Sequence, residues 1–258
     1  MAKAIVTGGT KEDADAMAVL ALNLRETNLS WIDELIIFHD GISDSKKKLM
    51  QQIMPIRFIE YKCPINWIKL WMNRTIRYFS PMVFCKFELF NLLQDYETVV
   101  WTDYDVLIKD SIAEILDTTK GISFIANYDV MLSDMFYKSI YKADMNGYAL
   151  DGCSICAPLI VMNRNLHNYM EYYEWCYKCA KKYIKHLYLP EQCVFTMLVQ
   201  HYKLDYTELD MEIYCMHPND MTDKTKILHA YGQPKFWNGL VNKEWNMYHK
   251  MWKDMCDM

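Results

Sequence analysis

The sequence predicts a single α/β domain with a mostly parallel central sheet flanked by helices. Three observations lead to this fold class: strand-length apolar runs alternate with segments of helical spacing, no repeat or low-complexity linker interrupts them, and hydrophobic residues make up 52% of the chain. A chain of 258 residues with this composition can bury a large core. We expect one domain over residues 1–240 and an amphipathic helical tail over residues 241–258.

The first half of the chain alternates strands and helices. Strands are predicted at residues 3–7, 35–38, 56–61 and 99–101, and helices at residues 13–27, 44–53 and 82–93. This alternation favours a parallel, doubly wound sheet, whose ligands bind beyond the carboxyl ends of the strands. Gly8-Gly9-Thr10 and Asp103-Tyr104-Asp105 both follow such strand ends.

The second half of the chain is less regular. Strands are predicted at residues 122–126, 157–162 and 227–230, and helices at residues 165–186 and 192–200. Residues 127–150 lack strand alternation, and we interpret them as a lid or an acceptor-binding excursion.

Charge and cysteine usage limit the function classes. The net charge is −5 and the cations are scattered, so a nucleic-acid partner is not expected. The sequence shows no signal peptide and no apolar run of the ~20 residues that a membrane span needs. The nine cysteines are therefore expected to be reduced thiols in a cytoplasmic protein.

Two Cys-x-x-Cys pairs, Cys153 with Cys156 and Cys176 with Cys179, have the spacing of a zinc ribbon. The second pair lies in a helical pattern without knuckle glycines, and Cys156 opens an apolar strand. We therefore favour buried thiols that act as small hydrophobic side chains, with structural zinc as the alternative.

Asp103 and Asp105 lie between two apolar runs, residues 99–101 and 106–108. Burying two carboxylates at the end of a strand costs free energy unless a cation binds them. A divalent metal that carries a diphosphate satisfies this condition. A strand-ending turn is the alternative, because Asp is common in turns.

A second polar cluster follows the last predicted strand. His229, Gly232 and Lys235 lie within seven residues. A lone His in this position is more often a hydrogen-bonded core residue, but glycine permits close approach of a ligand and Lys235 offers a point charge for a phosphate. The combination favours a ligand site.

These two motifs together resemble those of the glycogenin and bacterial lipopolysaccharide galactosyltransferase family, the retaining glycosyltransferases of family 8. The second motif reads His229-x-x-Gly232-x-x-Lys235-x-Trp237, with Phe236 where the family has proline. Further elements keep the family's order over most of the chain: residues 4–10, Arg77, Lys86 and Glu191-Gln192, the last standing where the family has Asp-Gln.

The resemblance implies a GT-A-type fold and transfer of a hexose from a nucleotide sugar, UDP-glucose or UDP-galactose, to a hydroxyl of a glycan or lipid-linked saccharide. It implies a divalent ion bound by Asp103, Asp105 and His229. A mixed set of oxygen and imidazole ligands suits Mn²⁺ better than Mg²⁺. The implied donor-binding residues are Gly8, Thr10, Arg77, Lys86, Asp103, Tyr104, Asp105, Gly232 and Lys235.

The resemblance also implies that Glu191 and Gln192 are catalytic and lie near the anomeric carbon. Either side chain could support the cationic sugar or orient the acceptor. For Glu191 the alternative is an acid in the first turn of a helix, where it complements the helix dipole.

Two segments depart from the family. Cys156-Ala157-Pro158 stands where the family has Asn-Ser-Gly, and Asp13-Ala14-Asp15 occupies the region of an aromatic that stacks on the base. A catalytically inactive relative that binds a nucleotide sugar or glycan is therefore an alternative function. An Asp-x-Asp phosphohydrolase is a second alternative, which the late position of the motif in the chain disfavours.

The tail places Trp245, Tyr248, Trp252 and Met255 on one helical face. This face either packs on the domain or lies on a membrane surface near a lipid-linked acceptor, because the family includes membrane-associated members. The second interpretation would place the protein at the inner face of the membrane.

Overall fold

The structure, a computed structural model, describes residues 2–27 and 31–257. The strands are β1 (Lys3–Gly9), β2 (Glu34–His39), β3 (Ile56–Glu60), β4 (Thr98–Thr102), β5 (Val106–Ile108), β6 (Ile122–Met131), β7 (Cys153–Asn163), β8 (Thr207–Leu209) and β9 (Ile227–His229). The α-helices are α1 (Ala14–Glu26), α2 (Asp44–Met50), α3 (Trp67–Trp71), α4 (Arg74–Phe79), α5 (Glu88–Leu92), α6 (Tyr169–Tyr183), α7 (Pro190–Tyr202), α8 (Met211–Tyr214) and α9 (Lys243–Cys256). Short 3-10 helices are found at Lys11–Asp13, Pro81–Phe87, Ala113–Ile115, Leu132–Met135 and Lys138–Lys142.

A seven-stranded sheet with the order β3-β2-β1-β4-β7-β6-β8 forms the centre of the domain. β3, β2, β1 and β4 are mutually parallel, and β6 and β8 are parallel to each other. Only β7 among these strands runs against its neighbours, β4 and β6. The predicted fold class, a mostly parallel sheet flanked by helices, is therefore confirmed.

Helices cover both faces of the sheet, which explains why the central strands are apolar at almost every position. Ala4 and Val6 of β1 point into a core formed with α5, α6 and α7. Ile5, on the opposite face, packs in a second core with α1, α2 and α9. Every residue of β4 is buried.

The late strand lies outside the central sheet. β9 pairs in antiparallel fashion with β5, and together they form a separate two-stranded sheet in which Val106 is opposite His229. This pairing joins the segment after the Asp-x-Asp motif to the His229 segment.

The helix predicted at residues 82–93 forms only in part. Pro81–Phe87 is a 3-10 helix, and the α-helix begins at Glu88. A 3-10 turn places residues i and i+3 above one another, and Phe84 and Phe87 are both buried, with ring centroids 5.7 Å apart. The tighter winding thus places both large side chains on the same, buried side of the segment.

Residues 127–150 contain more regular structure than the sequence indicated. β6 continues to Met131 with breaks in register after Phe124 and Asn127, and two 3-10 helices follow it. The breaks in register account for the lack of alternation, because a bulge shifts side chains between the faces of a strand.

The tail packs on the domain. Trp245 and Trp252 of α9 are 2% and 1% exposed and lie in the core that also contains α1. The Trp252 indole donates a hydrogen bond of 2.8 Å to Asp15 Oδ1. The structure therefore gives no support to membrane contact through this face, because the domain already covers the apolar stripe. In residues 2–27 and 31–257, no helix has both the length and the apolar character required to cross a membrane.

None of the nine cysteines forms a disulfide. Cys176 and Cys179 are buried in α6, whereas Cys153 is exposed at the start of β7. In the described part of the chain, the one group of three or more His, Cys, Asp or Glu side chains that is close enough to share an ion contains no cysteine. The geometry therefore gives the zinc alternative no support.

Candidate active site

A cavity of about 510 Å³ lies at the carboxyl ends of β1 and β4. It is lined by five segments that are far apart in the chain: the turn after β1, residues 78–86, the β4–β5 turn, the start of α7 and residues 229–237. Every residue that the sequence indicated for the site lines it, except Arg77. The residues are Gly8, Thr10, Lys86, Asp103, Tyr104, Asp105, Glu191, Gln192, His229, Gly232 and Lys235.

Backbone pairing brings the Asp-x-Asp turn and His229 together. The Asp103 N–H donates to the Pro158 carbonyl at 3.0 Å, which attaches the turn to β7. The Ala230 N–H donates to the Asp105 carbonyl at 2.9 Å, which continues the β5–β9 ladder to the edge of the cavity. The two acids and the imidazole are thus fixed by hydrogen bonds of the main chain.

Asp103, Asp105 and His229 each offer one ligand atom, and these atoms lie within 4.8 Å of one another. His229 Nε2 is 3.3 Å from Asp105 Oδ1 and 3.8 Å from Asp103 Oδ2. Two ligands held at right angles about 2.1 Å from one ion are about 3 Å apart, so a small side-chain movement brings all three onto a shared cation. The donor set therefore fits a divalent metal.

Cys215 contacts the other nitrogen of the imidazole. Its Sγ lies 3.4 Å from His229 Nδ1, which leaves Nε2 as the nitrogen that faces the acids. A group of this kind fixes the orientation of a metal-binding His. The sequence offered no signal for it, because Cys215 lies outside both motifs.

Opposite charges compensate each other within the group. Burial favours the neutral imidazole, but the Asp105 carboxylate and the Cys215 contact outweigh it and raise the pKa of His229 to about 10. Burial likewise favours the neutral form of Asp105, but His229 and Lys235 hold the pKa of its carboxyl below the usual range. The Asp105 carboxylate is therefore stabilised in its ionised form by Lys235 and by the His229 ring beside it.

Lys86 is a buried lysine with two acidic partners. Its Nζ lies 2.9 Å from Asp103 Oδ1 and 3.1 Å from Glu191 Oε1, and it donates to the Ala157 carbonyl at 2.9 Å. Burial disfavours the ammonium, but Asp103 and Glu191 raise the pKa of Lys86 above its usual value. The charged lysine thus joins the Asp-x-Asp turn to the start of α7.

Asp103 uses its two oxygens differently. Oδ1 accepts a hydrogen bond of 2.7 Å from the Trp101 indole in addition to the Lys86 contact, whereas Oδ2 faces His229. The sequence predicts Trp101 only as a strand residue, but its position two residues before Asp103 places both side chains on the same side of the chain.

Lys235 binds the second carboxylate oxygen of Asp105 and donates to the Ala230 carbonyl at 2.8 Å. Gly232 has a φ of +73°, and a β-carbon there would meet no atom within 4 Å. This glycine is thus required by the backbone conformation of the segment, not by crowding.

The turn after β1 is held by its own contacts. The Thr10 N–H and hydroxyl donate to Asp13 Oδ2 at 2.8 and 2.7 Å. A β-carbon at Gly8 would lie 2.7 Å from Cys85 Sγ, so the glycine allows close packing of β1 on the 3-10 helix. Tyr104 stacks on Trp237 with ring centroids 5.9 Å apart and forms an aromatic wall beside this turn.

Arg77 lies outside the cavity. It is exposed on α4, with its guanidinium 5.4 Å from the centre of the Trp71 ring. Its role as a donor contact stays a prediction. Tyr78, Phe79 and Ser80, which follow it, do line the cavity, although no motif in the sequence points to them.

Cys156-Ala157-Pro158, one of the two segments that depart from the family, contacts the site through its backbone. The carbonyl groups of Ala157 and Pro158 accept from Lys86 and from the Asp103 N–H. Main-chain oxygens can make these contacts with any side chain, so the departure leaves the support of Lys86 and Asp103 intact.

Comparison with known families identifies the class of protein. The family model described as Glycosyl transferase family 8 matches residues 5–240. The chain belongs to this family, and the resemblance inferred from the motifs is confirmed. Family and fold together indicate a glycosyltransferase. A comparison with the curated proteins finds no match.

Solved structures share the fold at low sequence identity. The galactosyltransferase LgtC, solved with donor and acceptor sugar analogues, superposes with a TM-score of 0.67 at 15% identity, over 98% of this chain and 95% of LgtC. The bifunctional glycosyltransferase WbbM gives a TM-score of 0.71 at 15% identity over 99% of this chain. GlyE of Streptococcus pneumoniae gives 0.64 at 16% identity over 99% of this chain. The chain spans 51% of WbbM and 63% of GlyE.

Proposed function

We propose that the protein is a retaining hexosyltransferase that moves a hexose from UDP-glucose or UDP-galactose to a hydroxyl of a glycan or lipid-linked saccharide. The observation that carries this proposal is the group of Asp103, Asp105 and His229 at the wall of the cavity. One potential ligand atom of each residue lies within 4.8 Å of the other two. Support for a sugar nucleotide comes from LgtC, a galactosyltransferase of similar fold that was solved with donor and acceptor sugar analogues. The volume of about 510 Å³ is in the range of small-molecule sites.

Asp103, Asp105 and His229 would hold Mn²⁺ or another divalent cation through Oδ2, a carboxylate oxygen and Nε2. The bound ion would supply positive charge against the diphosphate of the donor, which is the leaving group of the reaction. Lys235, which binds Asp105 at the same wall of the cavity, would be placed to donate to a phosphate oxygen of the donor.

The turn at Gly8 and Thr10, together with Tyr104, is proposed to receive the nucleoside. The Tyr104 ring and its partner Trp237 offer an apolar face, and the Thr10 side chain is fixed by Asp13. The rings of Tyr104 and Trp237 are proposed to replace the base-stacking aromatic that the family has after the first strand and that this chain lacks.

Glu191 and Gln192 are proposed to have different roles at the start of α7. α7 begins at Pro190, so both lie in its first turn, where the positive end of the helix dipole is located. Glu191 is 7% exposed and bound to Lys86, which makes it a positioning residue for Lys86 and Asp103. Gln192 is half-buried at the cavity wall and is the residue assigned to contact the reacting carbon or the acceptor.

The test measures thermal unfolding with UDP alone, Mn²⁺ alone and both together. A ligand that binds only the folded protein raises the melting temperature, by an amount equivalent to about 2.7 kcal/mol at a hundredfold excess over its Kd. We expect a large shift only when both are present, since the ion links the diphosphate to the acids. Release of free hexose from a UDP-hexose would then separate a transferase from an inactive binding protein.

Asp105→Asn should abolish the Mn²⁺-dependent part of this shift, because it removes an anionic ligand. Asp254→Asn, at an exposed position on α9, is the matched control and should leave the shift unchanged. A full shift in Asp105→Asn would show that the ion binds elsewhere. A shift without any hexose release would favour the inactive relative.

A further inference from the structure

α3 and α4 present an unusual surface. Six large apolar side chains are exposed here, namely Trp67 (71%), Ile68 (53%), Trp71 (64%), Met72 (54%), Tyr78 (71%) and Phe79 (49%). Single exposed apolar side chains are normal on proteins, but a contiguous set marks an interaction surface. We call residues 67–79 the aromatic hairpin.

The aromatic hairpin is anchored to the domain. Leu70 and Ile76 point inward and are buried. Asn66 and Asn73 cap the two helices by accepting from the N–H groups of Ile68 and Ile76 at 2.9 and 3.0 Å. Asn73 also donates to the Leu187 carbonyl at 2.8 Å. The exposed side chains therefore belong to a fixed, outward-facing surface.

The charge of this region is opposite to that of the whole protein. The chain has a net charge of −5, yet residues 61–87 contain no Asp or Glu. Lys69, Arg74 and Arg77 are exposed here. In the ranges that the structure describes, none of the three forms an ion pair, and Arg77 lies over the Trp71 ring at 5.4 Å.

We propose that the aromatic hairpin docks on an anionic phospholipid membrane surface. Trp and Tyr prefer the interface between lipid and water, because their rings are apolar and carry one polar group. Exposed cations next to them attract anionic headgroups. An amphipathic segment with aromatic and cationic side chains is the kind that lies in the plane of this interface.

A second copy of the chain fits this surface less well. A symmetric contact of two hairpins would place the cations of one copy near those of the other, and like charges oppose such a contact. An anionic lipid surface satisfies both the apolar and the cationic side chains at once.

The aromatic hairpin lies next to the cavity, so docking on a membrane would bring the cavity close to a lipid-linked acceptor. This role rests on the proposed function. Tyr78, Phe79 and Ser80 line the cavity as well as ending α4. A membrane in contact with the hairpin would lie beside the mouth of the cavity, where a lipid-linked acceptor could enter. Binding to lipid does not itself depend on catalysis, so the two proposals fail separately.

The test is flotation of the intact protein with vesicles of phosphatidylcholine alone or mixed with phosphatidylglycerol. We expect binding to the mixed vesicles only. Each exposed cation near such a surface is worth about a fivefold change in binding, so Lys69→Gln with Arg74→Gln should weaken binding about 25-fold. Trp67→Ser with Trp71→Ser should weaken it at least as much, and both variants should keep the wild-type melting temperature because these side chains are exposed.

Matched controls are Lys48→Gln with Lys250→Gln for charge and Val241→Ser with Met247→Ser for exposed apolar side chains; all four positions are exposed outside the hairpin. These variants should bind vesicles as the wild type does. Equal binding by the hairpin variants, or no binding to anionic vesicles, would overturn the proposal. Sedimentation that shows self-association without lipid, lost in the hairpin variants, would assign the surface to a second copy.

Discussion

The imidazole of His229 has a different partner on each side. Nε2 faces Asp103 and Asp105, and Nδ1 contacts Cys215 Sγ at 3.4 Å. In metal sites, the group on the outer nitrogen fixes the ring and its tautomer. If the proposed ion binds here, we therefore expect Cys215 to be a positioning residue that holds the His229 ring in the orientation the ion requires.

Cys215→Ala should lower the affinity for Mn²⁺ about tenfold, because the ring loses the contact that orients it. Titration calorimetry with Mn²⁺ measures this change. Cys215→Ser keeps a hydrogen-bonding atom in nearly the same place and should retain most of the affinity. Equal affinity in all three proteins would show that the β5–β9 ladder alone fixes His229.

At the residue scale, the sequence predicted which side chains form the candidate metal site. It did not predict which neighbouring side chains hold them in position. The Asp103 and His229 motifs could be predicted because fixed spacing at strand ends carries the information. Trp101 and Cys215 could not, since a buried Trp or Cys has the same appearance in a sequence whether or not it touches a polar site. Arg77 matched the family's spacing but lies on an exposed helix face.

The α9 element shows how a single helix is attached to the domain. Trp252 is 1% exposed, and its indole donates to Asp15 of α1, which also forms an ion pair with Lys46 of α2 at 2.8 Å. Three helices thus meet at one carboxylate. The packing of Trp252 stabilises this attachment, because the area buried by an indole is large.

Trp252→Ala should lower the free energy of unfolding by about 3–5 kcal/mol, as for other buried aromatics replaced by Ala. Urea unfolding measures this loss. Trp252→Phe keeps much of the packing and loses the Asp15 bond, so it should cost less than Trp252→Ala. Met247→Ala, at a half-exposed position of the same helix, is the control and should change stability by less than about 0.5 kcal/mol. A small loss in Trp252→Ala would show that α9 is attached weakly.

Elements with long, clear periodicity were the ones that the sequence predicted well, such as α1, α7 and the buried strands. α3 and α4 were missed because each is only one to two turns long and has exposed aromatic side chains, which contradict an amphipathic pattern. The pairing of β5 with β9 was missed because it depends on contact between distant segments, which periodicity does not report.

His39, at the end of β2, is expected to make the stability of the folded protein depend on pH. His39 is 2% exposed, and its Nδ1 accepts from the N–H groups of Gly41 and Ile42 at 3.0 and 3.2 Å. Burial, with Lys47 nearby, lowers the pKa of His39 below its usual value of about 6.5. A protonated ring could not accept these bonds.

Below the usual pKa of His, the unfolded chain takes up a proton that His39 in the folded protein does not. Stability therefore falls as the pH drops below about 6.5, by up to about 1.4 kcal/mol per pH unit for one proton. His39→Asn keeps an acceptor in the position of Nδ1 and removes the titration, so its unfolding free energy should fall less between pH 7 and pH 5. Chemical unfolding at each pH measures the difference, and His167→Asn, at an exposed position, is the control. Parallel pH curves for wild type and His39→Asn would contradict the assignment.

For the whole molecule, the alternation of strands and helices predicted that helices cover both faces of the sheet. It also predicted the location of the cavity, since parallel sheets bind ligands at the carboxyl ends of their strands. The surface properties did not follow. The sequence shows that residues 61–87 contain no Asp or Glu, but only the fold shows that this segment lies beside the cavity.

The contact of Lys235 with Asp105 has a consequence for the stability of the folded protein. An ammonium supplied by the chain itself serves as a stand-in counterion, so the acidic pocket carries no uncompensated anion when it is empty. We therefore expect the fold to be independent of metal supply, in contrast to small metalloproteins that unfold when a chelator removes their ion.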